Sequence, residues 1–92
     1  MKKVIYEIHR THADVDLRLR DYQNMGHNVG KHGLVIGQMS DIILLPKSKL
    51  HTLSHIKPDR ISFFCDVTDY DRDFAFSRSP QVYHRDVEME CA

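Results

Sequence analysis

The chain has no tryptophan, two cysteines, three prolines and four glycines in its 92 residues, and its 13 basic side chains are matched by 13 acidic ones. Two cysteines cannot build a disulfide framework. Cys65 sits in an apolar run and Cys91 is the second-last residue, so reduced thiols and a cytoplasmic setting are expected. The balanced charge gives no reason to expect a membrane or a nucleic-acid backbone as the main partner. The longest purely aliphatic run, Ile42 to Leu45, is far too short to span a bilayer. Glu7 interrupts the apolar stretch that a secretory leader would need. With 41% apolar residues, the chain is expected to form one domain, 1–92, around a modest core.

What is present is unevenly placed. All four glycines fall between Gly26 and Gly37, interleaved with His27, Asn28, Lys31 and His32. Such clustering marks a loop of unusual backbone shape or mobility, and the segment 24–33 is expected to be ordered mainly by a partner. Seven histidines occur as His9/His12, His27/His32, His51/His55 and a lone His84, so surface charge should respond to pH near neutrality. Residues 47–60 carry Lys47, Lys49, Lys57 and Arg60 against Asp59, whereas residues 61–92 carry seven acids against three arginines.

Periodicity predicts an α+β fold: a small antiparallel sheet of four to six strands with one short helix at about 48–56. Val4, Tyr6 and Ile8 alternate within a first strand, Lys2 to Arg10. Thr11 to Gln23 fits two patterns. Ala13, Val15, Leu17 and Leu19 alternate with charged residues as in a strand; a helix capped by Thr11 would stripe Val15, Leu19 and Tyr22 but leave Leu17 wet, which favours the strand. Leu34 to Ile36 and Ile42 to Leu45 read as short strands, and Leu50, Leu53 and Ile56 as one face of the helix. Ile61 to Thr68 is the strongest strand, with Phe63 inward. Asp69 to Asp73 reads as a turn returning through Phe74 to Ser77 as a hairpin partner, and Val82 to Val87 as an edge strand.

No catalytic motif is complete. Gly26-His-Asn-Val-Gly30-Lys31-His32 resembles a Walker A loop, but its glycines are one residue too close and histidine stands where a hydroxyl must hold magnesium. Asp69, Asp71 and Asp73 open like a calcium loop, yet Phe74 and Pro80 occupy the positions that need glycine and glutamate. His51 and His55 have the spacing of two zinc ligands without a third or fourth, so no metal and no cofactor is expected. His9-Arg-Thr11 resembles one half of the paired His-x-Thr signature of two-histidine phosphoesterases; neither His51 nor His55 supplies the second half.

These features favour a small non-enzymatic protein that binds and modulates, most simply inhibits, another macromolecule, a class common among phage and mobile-element accessory proteins. The expected partner is a protein, met by His27, Asn28, Lys31 and His32 on the glycine loop and by Lys47, Lys49, His51 and His55 on a basic helix stripe. One alternative is an RNA- or nucleotide-binding module using the Gly26–Gly37 loop and the Lys47/His51/His55 stripe. Another is a small histidine-dependent phosphodiesterase or ribonuclease, for which His9→Ala is the informative change.

Overall fold

Tyr6 and Ile8 point to one side of the first strand and Glu7 and His9 to the other, and all four are buried. A strand covered on both faces belongs in the middle of a sheet with parallel neighbours. In the computed structural model, which describes residues 2–52 and 57–90, this strand, β1 (Lys3–His9), has that position. The other strands are β2 (Asn28–Val29), β3 (Leu34–Ile36), β4 (Ser40–Pro46), β5 (Arg60–Phe63), β6 (Val82–His84) and β7 (Val87–Glu88). The described residues form a seven-stranded sheet in the order β2-β3-β4-β1-β5-β6-β7. β1 runs parallel to β4 and β5, and β6 runs parallel to β5. Only the outer pairs, β2–β3, β3–β4 and β6–β7, are antiparallel. The sheet is therefore mixed and larger than the antiparallel sheet of four to six strands expected from periodicity.

Parallel neighbours need crossovers, and the sequence provides them. The segment after β1 is a helix, α1 (His12–Asn24), not a strand. Thr11 caps it, its hydroxyl accepting from the Asp14 amide at 3.3 Å and donating to the Asp14 carboxylate at 3.0 Å. Val15 and Tyr22 are buried, and Leu17 is left 58% exposed, a cost the strand reading avoided but the packing of the other face outweighs. Asp69–Arg78 is likewise a helix, α2, in place of the expected turn and hairpin. Its start is a reciprocal capping box: Thr68 accepts from the Asp71 amide, and the Asp71 carboxylate accepts from the Thr68 amide. The short helix foreseen at 48–56 is a 3₁₀ helix over Lys47–Thr52; Leu53, His55 and Ile56 lie outside the described residues.

The two sides of the sheet have separate cores. α1 packs Val15 and Tyr22 against Val35 and Leu44, with Leu19, Val29 and Ile42 at the margin. α2 and the 3₁₀ helix cover the opposite side, where Tyr6, Ile8, Leu50, Ile61, Phe63, Cys65, Ala75 and Val82 form the larger cluster. Each large apolar side chain fully buried there contributes roughly 1.5–3 kcal/mol.

The glycine cluster turns out to have structural work. Gly26, at φ +89°, ends α1 in a Schellman arrangement: its amide donates to the Gln23 carbonyl and that of His27 to the Tyr22 carbonyl, both at 3.0 Å. Gly33, at φ +75°, lets the hairpin between β2 and β3 close against β4; a Cβ there would sit 2.6 Å from the Leu44 carbonyl oxygen. The Leu44 amide donates to the Gly33 carbonyl, and that of Gly30 to the Leu34 carbonyl. The backbone of this segment is thus pinned by hydrogen bonds within the chain, which removes the ground for expecting a partner to order it.

Candidate functional site

The order β4-β1-β5-β6 contains a reversal. The chain leaves β1 toward β4 through α1 on one side of the sheet, and leaves β5 toward β6 through α2 on the other. The connections therefore part at the carboxyl ends of β1 and β5, where open α/β sheets form ligand crevices. A cleft of about 440 Å³ lies there. His9 and Arg10 come to it from the end of β1; Asp14, Leu17, Arg18 and Asp21 from α1; Phe64, Cys65 and Asp66 from the segment after β5; and Arg85 from the turn between β6 and β7.

Behind the cleft is a buried polar network centred on Glu7. Its carboxylate accepts the Tyr22 hydroxyl at 2.6 Å, the Arg18 Nε at 2.9 Å and meets His9 Nε2 at 2.7 Å. Burial alone would push the Glu7 carboxyl up, but the bonds from His9 and Tyr22 and the charge of Arg18 outweigh it and hold Glu7 below the ordinary glutamate value. Burial and the bond to Glu7 push the Tyr22 hydroxyl up to about 12, so it stays a donor. The His9 ring stacks on Phe64 with centroids 5.2 Å apart and planes 9° from parallel. The Arg18 guanidinium lies over the Tyr22 ring at 4.6 Å and near Phe64 at 5.5 Å.

Two further guanidinia border the cleft with capacity to spare. Arg10 makes one loose contact, 3.6 Å to Asp14, and is largely exposed. Arg85 sits at φ +57°, fixed by its amide donating to the Phe63 carbonyl at 2.7 Å, and its side chain has no ion pair among the described residues. Burial pushes the Cys65 thiol up, so it lines the cleft as a thiol and not as a thiolate.

The residues singled out from the sequence are not brought together. Lys47 and His51 do not form an open basic stripe: both turn onto the buried Asp71, Lys47 Nζ at 3.0 Å from Oδ2 and His51 Nε2 at 3.1 Å from Oδ1. Lys47 also donates to the Asp66 carbonyl at 2.9 Å. His51 packs against Tyr70 and Phe74. Lys49 and His32 border a separate groove between α1 and the end of β4, together with His12 and Asp16. His27, edge-on to Tyr22, and Asn28 border a third depression near Ile36 and Met39. Lys31 lies in the exposed turn between β2 and β3, and His55 is outside the described residues. The cleft residues Arg18, Phe64 and Arg85, and Glu7 behind them, were missed. The available signal was Glu7 and His9 recurring on the second face of a strand whose first face is wholly apolar.

Asp71 has a consequence for acid stability. Burial would raise its carboxyl, but the bond from Lys47, the Thr68 amide and hydroxyl, and His51 bring it from 3.8 down to about 2. A depressed carboxylate contributes stability that is complete above its unfolded value and lost as pH falls through its folded value. Between about pH 5 and 2 the protein should thus lose roughly 2 kcal/mol through this group. Urea midpoints across that range should fall for the wild type and start lower but change less for Asp71→Asn; parallel curves would contradict the assignment.

Among the described residues no three histidine, cysteine or acidic side chains converge in a metal-binding arrangement, and no helix is long and apolar enough to cross a membrane. No family model matches the chain, and no curated protein or solved structure is significantly similar to it.

Proposed function

We propose that this chain binds a small phosphate-bearing ligand of the nucleotide class in the cleft at the carboxyl ends of β1 and β5. The observation that carries the reading is the pair of guanidinia, Arg10 and Arg85, at a crevice made by the reversal of strand order. Guanidinium forks match phosphate oxygens in geometry and charge. The first turn of α1, which borders the cleft through Asp14, adds the positive end of a helix dipole. Asp14 itself is engaged by Thr11 and Arg10. Asp21 and Asp66 are left to accept from sugar hydroxyls or exocyclic amines, which a bare phosphate would not offer.

A titration with AMP, ADP, ATP and pyrophosphate, followed by backbone amide shifts, tests this. Saturable changes are expected at residues 9–18, 64–66 and 85, weakening with added salt. Arg10→Ala with Arg85→Ala should reduce affinity at least tenfold, about 1.4 kcal/mol, at an unchanged melting temperature. Shifts confined to residues 27–32, or none at millimolar ligand, would reject it.

A second reading, binding and modulation of another protein, is favoured by a different surface. Ile36 and Met39 are exposed, Met39 to 84%, beside His27 and Asn28 at the β2–β3 end of the sheet, and Met25, just before Gly26 in the chain, is exposed too. Adaptable methionines beside an exposed aliphatic side chain are a common feature of protein-binding faces.

A further inference from the structure

Resting on that reading of the cleft, we propose that His9 is the general base of a phosphodiester transesterification on a bound ribonucleotide. The geometry specifies which nitrogen would act. Glu7, ionised and only an acceptor, lies 2.7 Å from His9 Nε2, so Nε2 carries the hydrogen, and in the neutral ring Nδ1 holds the lone pair. Nδ1 has no partner among the described residues, and His9 lines the cleft. Stacking on Phe64 holds the ring in place, and the Glu7 carboxylate behind it fixes its orientation. A Glu–His–Arg–Tyr network in a position where apolar side chains would pack at least as well is a poor stability device, which points to a use for it.

The reaction asks little more of the protein. The 2′-hydroxyl proton passes to His9 Nδ1 while the 2′-oxygen attacks phosphorus. The bond from phosphorus to the 5′-oxygen breaks, and that oxygen takes a proton from water in the open cleft. The hydroxide left behind removes the proton from His9, and the products are a 2′,3′-cyclic phosphate and a 5′-hydroxyl. The nucleophile belongs to the ligand, so no co-reactant is needed. Arg10 and Arg85, which line the same cleft, are the groups available to offset charge developing on the phosphoryl oxygens.

The test uses the full chain with the dinucleotide UpA and its 2′-deoxy analogue, followed by phosphorus NMR. Cyclic phosphate should form from UpA and not from the 2′-deoxy analogue. His9→Gln keeps an amide nitrogen for Glu7 but has no basic nitrogen. It should lose about 100-fold or more in rate while melting temperature and UpA affinity are kept. UpA that binds the cleft without turnover, or equal turnover by His9→Gln, would overturn the proposal and leave the binding reading standing. Failure of UpA and of the nucleotides to bind would overturn both. In the ligand-free protein, imidazole nitrogen shifts showing hydrogen on Nδ1 in place of Nε2 would overturn it independently.

Discussion

Phe63→Ala should destabilise the protein by roughly 3–5 kcal/mol, the range for emptying a buried phenylalanine site. Phe63 is fully buried on β5, in register with Ile8 of β1 and His84 of β6, and packs in the cluster that also holds Leu50, Ala75 and Val82. Its neighbours come from two strands, the 3₁₀ helix and α2, so no single element can relax into the space. Small domains have about 5–15 kcal/mol in total, and the variant should be partly unfolded at body temperature. Urea unfolding would show a much lower midpoint at an unchanged slope. A melting temperature within a degree or two of wild type would mean that the larger core does not depend on this ring.

Glu7→Ala should cost about as much, roughly 3–5 kcal/mol, for a different reason. No cavity need dominate. The loss arises because the buried Tyr22 and His9, and the half-buried Arg18, are left as donors without their shared acceptor. The two causes can be separated by experiment. Replacing the whole network with apolar side chains (Glu7→Leu, His9→Leu, Arg18→Met, Tyr22→Phe) should restore most of the lost stability while abolishing any activity of the cleft. If the fourfold variant is no more stable than Glu7→Ala, the network is needed for folding, and its value as a sign of function falls.

The contrast between β1 and α1 explains how much was legible in the sequence. β1, β3, β4 and the start of β5 follow from local alternation or short apolar runs, and the inward choice of Tyr6, Ile8, Ile61 and Phe63 agrees with their burial. α1 did not follow, because Ala13, Val15, Leu17 and Leu19 satisfy the period of a strand as well as part of a helical stripe. What separates the two is that β1 and β4 are parallel, a relation between distant segments that no window of residues contains. The same omission hid the site. In an antiparallel sheet with one wet face, Glu7 and His9 would be ordinary surface residues. Parallel pairing puts a helix over that face and turns them into a buried acid and a held imidazole. For α2 the signal was local: Thr68 and Asp71 have capping-box spacing, and the aspartates around them suggested a turn instead. Lys47 and His51 were legible as basic residues, but Asp71, which both contact, comes from an element whose helical nature was not foreseen.

The central place of β1 also bears on how the chain finds its structure. Tyr6 pairs with Ile43 on one side and Ile61 on the other, both later in the chain, so β1 has neither neighbour until β4 and β5 have been made. On a ribosome β1 would wait, with Tyr6 and Ile8 uncovered, while α1 and the β3–β4 hairpin form from nearby residues. Closing such distant pairs is slow compared with local structure. The interval before β5 arrives is therefore when this protein is most exposed to aggregation, and when a chaperone that holds extended apolar segments would help it most.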